Sequence, residues 1–275
     1  MELWNQLLQF MDTQMETPLP YGPFHLIWLA ITVGLSVWAA FGAKKHTERQ
    51  VSNVLLVTAI AVMLLEVYKQ INYTFGDGSG EPEYQWYAFP WQFCSTPMYV
   101  GLLAGLIRKG RVYESLCAYL ATFGLFAGAA VMVYPVTVFI GTVGINLQTM
   151  ICHGSMIVIG VYLLASGQVK LEHKSILRAL PVFAVMVGAA VVMNEVAYRT
   201  GLLQTHTFNM FFISPYCEPS LPVYSLVQGV VPFPWCLVLY ILGFTAAGYI
   251  MLLLGMGIKR LSSAPKKKLE SKATV

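Results

Sequence analysis

Cys94 and His153 are the residues whose types best fit covalent chemistry. A thiolate is a strong nucleophile, and a neutral imidazole is the usual base that generates it. Cys94 lies shortly after Pro90, a residue suited to opening a helix. A cysteine in the first turn or so of that helix would sit near unpaired amides and the positive dipole end, which favour a thiolate. Cys152 is a poorer partner for His153, because adjacent helical side chains diverge by about 100°. Glu66 with Lys69, and Glu195 with Arg199, have the spacing of ion pairs on one helix face. Each residue also has a plain structural use. Cysteine is a common small buried residue, and Cys94, Cys217 and Cys236 all fall near one face of the membrane, where a disulfide can form. His25 suits an interfacial histidine bonded to a backbone carbonyl. No Gly-rich phosphate motif and no His–Glu zinc pattern is present, so no metal and no soluble cofactor is expected.

The elements that must position these residues are transmembrane helices. Of the 275 residues, 57% are hydrophobic and 11% charged, against about 25% charged in a soluble domain. The apolar residues form blocks of about 18 or more, enough to cross roughly 30 Å of hydrocarbon. Seven spans are predicted: Pro23–Ala43, Asn53–Tyr73, Pro90–Ile107, Tyr113–Val133, Asn146–Ser166, Ile176–Tyr198 and Pro234–Gly257. Period-two alternation is absent, which excludes a β-barrel. Residues 1–22 precede the spans without the basic n-region of a signal peptide. Within them, Leu3 to Met11 has the spacing of an interfacial helix. Residues 258–275 form a basic tail, read from Lys266 as mobile and suited to anionic lipid.

All but two of the 17 basic residues fall between spans one and two, three and four, five and six, or after span seven. The positive-inside rule makes that side cytoplasmic, giving an N-out, C-in topology. The exceptions, Lys69 and Arg199, lie at the opposite helix ends. Counted inward, Cys94, Glu66, His153, Asn194 and Glu195 fall about 6–12 Å from the outer boundary. Lys69, Gln70, Asn72, Gln92 and Arg199 lie just above them. Ionisable groups at such depth mark a site or a paired structural device. Phe89-Pro90-Trp91 and Phe233-Pro234-Trp235 repeat, and nearly equal intervals separate His25 from Glu66 and His153 from Glu195. This suggests a three-plus-one-plus-three duplication in which His25, Glu66, His153 and Glu195 line one cavity. Gly101–Gly105 and Gly124–Gly128 are small-xxx-small patterns expected to bring spans three and four together. The long loop Thr200 to Pro232 is rich in Pro, Phe and Tyr, a composition that suits a lid folded back on the bundle and equally an ordinary aromatic interfacial loop.

Pro23-Phe24-His25, Phe89-Pro90-Trp91-Gln92-Phe93-Cys94, His153-Gly154 and Asn209-Met210-Phe211-Phe212 resemble the YwaF-like bacterial membrane family, which is similar to the eukaryotic transmembrane protein 164 family. The resemblance runs over roughly Tyr21 to Leu254. It implies a cysteine-dependent acyltransferase acting on phospholipid acyl chains, with Cys94 matching the catalytic cysteine and His153 the catalytic histidine. Where family members often carry a histidine close to that cysteine, this chain has Gln92, which cannot act as a base. The expected function is therefore phospholipid acyl transfer in the cell membrane, near the outer leaflet. The expected partner is a phospholipid or lysophospholipid, not nucleic acid. His25, Glu66, Lys69, Gln92, Asn194, Glu195, Arg199 and Asn209 would orient or bind the substrate. The alternatives are a lipid-ester hydrolase using the same site and a small-solute transporter. The sequence does not specify an oligomeric state.

Overall fold

The computed structural model describes residues 2–76, 82–135, 137–221 and 224–270, and within them the chain is all-helical, with two isolated β-bridges. Helix α1 is Glu2–Met11. The long helices are α2 (Pro23–Ala43), α3 (Glu48–Phe75), α5 (Gly110–Val133), α6 (Val143–Ala165), α7 (Lys174–Arg199) and α8 (Phe233–Glu270). Between α3 and α5 stands the short apolar helix α4, Thr96–Ile107. Among the described residues, six helices are long and apolar enough to cross a membrane. Span three is the exception: at 12 residues, α4 is only about 18 Å long.

Burial identifies the centre. In the most apolar stretch of α5, 72% of residues are buried, and in α6 61%, against 17% in α2 and α8. Helices α5 and α6 therefore form the interior pair, with α2 and α3 against α6, α4 against α3 and α5, and α7 against α5. The glycine patterns explain part of this order. A Cβ on Gly101 would lie 3.4 Å from Cβ of Ala59, and one on Gly105 only 2.6 Å from Cβ of Leu56. A Cβ on Gly128 would lie 2.6 Å from the carbonyl oxygen of His153. The expected pairing of spans three and four through these patterns is thus corrected. The first pattern seats α4 on α3, and Gly128 seats α5 on α6, while only Gly124 faces Pro97 of α4. Small residues permit close approach without choosing the neighbour.

Helix α5 contains a five-residue π-helical turn, Leu120–Gly124, buried throughout. The Thr122 hydroxyl donates to the Ala118 carbonyl at 2.6 Å. It thereby competes for the acceptor that the regular ladder would use. Helix α1 is held at its C-terminal end, where the Met11 carbonyl accepts from Tyr68 Oη at 2.6 Å and Asn72 Nδ2 at 3.2 Å. Leu3, Leu7 and Phe10 on α1 remain exposed.

Three further expectations change. The tail, expected to be mobile from Lys266, is helical as far as Glu270. All five cysteines are free, so the disulfide option at Cys94, Cys217 and Cys236 is not used. The two Phe-Pro-Trp segments take different forms: Phe89-Pro90-Trp91 leads into turns and a 12-residue helix, whereas Phe233 begins a 38-residue helix. The stretch from Asp77 to Ala88 is Gly-rich and acidic and is expected to be a loop; its residues Asp77 to Glu81 lie outside the described residues.

Candidate functional site

Cys94 is not in a helix. The chain makes one 3-10 turn at Trp86–Ala88 and stays irregular to Ser95, which caps α4 with Pro97 in its first turn. The expectation that Pro90 opens the helix is therefore corrected, and Cys94 sits in the turn just before it. An irregular backbone at membrane depth persists only where protein satisfies its polar groups. Here side chains supply donors to several of its carbonyls. Gln70 Nε2 donates to the Ala88 carbonyl at 2.8 Å, Tyr99 Oη to the Pro90 carbonyl at 3.0 Å, and Thr96 Oγ1 to the Phe93 carbonyl at 3.0 Å. Trp91 Nε1 reaches the Met186 carbonyl on α7 at 3.3 Å. Helix formation from Pro90 loses to this set of side-chain partners.

The long loop supplies the rest of the cradle. Gln92 Nε2 donates to the Asn209 carbonyl at 3.0 Å, and the Phe211 amide donates back to Gln92 Oε1 at 3.0 Å. Asn194 makes the same two-way clamp on Met210, at 3.0 and 2.8 Å. Asn209 Oδ1 accepts from the Ser214 amide at 2.9 Å. In the central part of this loop Met210, Phe211 and Ile213 are fully buried. Phe211 and Phe212 adopt φ of 58° and 56°, a left-handed conformation that costs about 1–3 kcal/mol for such residues. The clamps hold them there. Gln92 and Asn194, expected to orient or bind substrate, have both side-chain amide atoms bonded to backbone, and Asn209 has its Oδ1 so bonded.

Below the cradle lies a charged cluster. Glu66 Oε1 accepts from Lys69 Nζ at 2.8 Å and Gln70 Nε2 at 2.7 Å, and Oε2 from Gln148 Nε2 at 3.4 Å. The pair is nearly enclosed, with side-chain exposures of 15% for Lys69 and 9% for Glu66. Glu66 also lines a cavity of about 330 Å³ with Gln70, Pro90, Met98 and Tyr99. Neither Cys94 nor His153 lines it.

His153 is buried on α6. Its Nδ1 lies 2.7 Å from the Thr149 carbonyl, and its Nε2 is buried without a partner. A carbonyl only accepts, so Nδ1 carries the proton and Nε2 holds the free lone pair. A backbone carbonyl one turn away thus orients the imidazole. Gln148 and Thr149 escaped notice in the sequence, although polar residues in an apolar helix three to five positions before His153 were the available signal.

The shared cavity of four residues does not form. His25 is fully buried, accepts the Tyr21 amide at Nδ1 (2.9 Å) and bonds the Met132 carbonyl through Nε2 (2.9 Å). It holds α2 against the end of α5. Glu195 bonds Arg199 Nε and Tyr216 Oη, each at 2.6 Å, on the exposed side of α7. Tyr216 stacks on Tyr198 with centroids 3.7 Å apart, and its bond to Glu195 pushes the phenol above its ordinary value. Of the four, only Glu66 belongs to the charged cluster, and Gln148, which bonds it, lies on the same helix as His153. Among the described residues, no group of three or more His, Cys, Asp or Glu is placed to hold a metal.

No curated protein sequence and no solved structure matches the chain. Residues 20–254 match the family model described as the TMEM164 family.

Proposed function

This chain belongs to the TMEM164 family, and on that premise we propose that it is a membrane-embedded acyltransferase working through a thioester on Cys94, with His153 as general base. The observation that carries the reading is His153 itself, a buried imidazole whose Nδ1 is fixed by Thr149 and whose Nε2 is left open. A purely structural histidine at this depth would have both nitrogens satisfied, as His25 does.

The steps balance as follows. His153 Nε2 takes the Cys94 thiol proton, and the sulfur attacks a phospholipid ester carbonyl. The C–S bond forms, the ester C–O bond breaks, and the leaving alkoxide takes the proton from His153. A lysolipid hydroxyl then gives its proton to His153 and attacks the thioester. The C–S bond breaks, and Cys94 recovers its proton. Water in place of the lysolipid gives hydrolysis by the same route. Lys69, held by Glu66, supplies positive charge for a lipid phosphate. The polar cluster faces the outer leaflet of the cell membrane if the lysine-rich loops are cytoplasmic. Transport is a weaker reading: Phe93, Phe123, Phe183 and Phe244 pack together where an axial path between α4, α5, α7 and α8 would run.

The test is transfer of a labelled acyl group from a phospholipid to a lysolipid by purified protein in vesicles. Cys94→Ala is expected to abolish transfer and to remove a hydroxylamine-labile adduct from that residue. His153→Ala is expected to cost about 10²–10⁴-fold, with no further loss in the double variant. Cys117→Ala, at a cysteine buried in α5, retains the wild-type rate. A Cys94→Ala protein that inserts and transfers at the wild-type rate overturns the mechanism.

A further inference from the structure

A second cavity, of about 690 Å³, lies on the other side of the bundle between α2, α3 and α6. It runs along α2 from Trp28 to Gly42 and along α6 from Met150 to Tyr162, a length of about 18–21 Å. One leaflet of hydrocarbon is about 15 Å deep, so the groove takes the full length of a lipid chain. Its flank is open, since Trp38 and Phe41 are 75% and 78% exposed. The walls are apolar apart from the Thr32, Thr58 and Ser155 side chains.

The polar groups gather at one end, where α2 turns into α3. Lys45 and His46 line the mouth there. Lys45 has no ion-pair partner among the described residues. His46 Nδ1 lies 2.7 Å from Tyr162 Oη. With that hydroxyl donating, the imidazole carries its proton on Nε2 and can donate outward. An apolar slot with a free cation and a second donor at its mouth complements one amphiphile, an acyl chain ending in an anionic phosphate.

We propose that this groove is a resident site for one anionic phospholipid of the leaflet on the lysine-rich face, its chain between α2, α3 and α6 and its phosphate at Lys45 and His46. The site is separate from the Cys94 cluster. Thr32 meets Gly154, beside His153, and lies 13 residues from Lys45, or about 20 Å along a helix. The esters of a lipid anchored at Lys45 stay near the mouth, out of reach of Cys94. The lipid here is bound and not turned over, and the proposal does not depend on acyl transfer.

The test uses full-length protein in vesicles of equal parts phosphatidylglycerol and phosphatidylcholine, with native mass spectrometry reading the lipid retained after delipidation. The wild type is expected to keep one phosphatidylglycerol, favoured about fivefold over phosphatidylcholine. Lys45→Glu abolishes the preference. Gly42→Phe removes the lipid, because a side chain at Gly42 meets no protein atom within 4 Å and projects from a lining position. Cys94→Ala keeps the lipid at the wild-type level even if it is inactive, which separates this site from the reactive one. Equal retention of both lipids, retention of a free fatty acid in their place, unchanged preference in Lys45→Glu, or a lipid-free dimer closed over the groove would each overturn the proposal.

Discussion

The charge that matters most inside this protein is the Glu66–Lys69 pair. Pairs like it contribute little net stability, because desolvation offsets much of the attraction, but removing one partner strands the other. Lys69→Ala is therefore expected to lower stability by about 3–5 kcal/mol, read as a fall in thermal midpoint in detergent. The double replacement Glu66→Leu with Lys69→Met should recover most of that loss. If Lys69→Ala melts with the wild type, the pair is solvated and the enclosed cluster described above is wrong. Glu195→Ala breaks an i,i+4 pair on an exposed helix side, and a much smaller change is expected there. The two pairs look alike in the sequence, and only burial separates them.

At the scale of elements, the cradle depends on two amides holding a loop. Asn194 and Gln92 each make one donated and one accepted bond with the backbone of residues 209–211. Asn194→Leu removes both bonds to Met210 and leaves its buried amide unpaired, at about 1–3 kcal/mol. The left-handed Phe211 and Phe212 then lose their restraint. Hydrogen exchange at Met210 and Phe211 should rise by one to two orders of magnitude, while exchange in α6 stays unchanged. Unchanged exchange at Met210 would show that the loop is held by aromatic packing alone. Phe211 does pack on Phe93, and its carbonyl accepts from Tyr240 Oη at 3.1 Å, so the comparison has a real alternative.

At the scale of the whole molecule, orientation decides which leaflet each site meets. The lysine-rich loops are expected to be cytoplasmic. Reporter fusions after Ile107 and after Ser166 should read cytoplasmic, and fusions at Gly78 and Ser220 external. A cytoplasmic reading at Gly78 would exchange the leaflets of both proposed lipid sites while leaving their chemistry intact. Pocket and cradle lie toward opposite faces because the charged groups do: Lys45 and His46 close the lysine-rich end of α2, whereas Glu66 and Lys69 occupy the far end of α3.

Hydropathy and charge were enough to establish from the sequence that the chain is helical, crosses the membrane several times and carries most of its basic residues outside the apolar blocks. These properties follow from residues taken one after another, since each span needs only its own apolar length and its own backbone bonds. The i,i+3 pairing of Glu66 with Lys69 and the i,i+4 pairing of Glu195 with Arg199 were legible for the same reason. The short α4 was not. Whether Phe89 to Ser95 forms a helix depends on what else can bond its backbone. Tyr99 donates to the Pro90 carbonyl and Gln70 to that of Ala88, while the Gln92 side chain is bonded to a loop 117–119 residues further along the chain. Likewise, the positions of His25 and Glu195 outside the charged cluster depend on which neighbours each helix face meets, namely Met132 for one and Tyr216 for the other. Depth along a helix is written in the sequence, but direction around it is settled only when the helices pack.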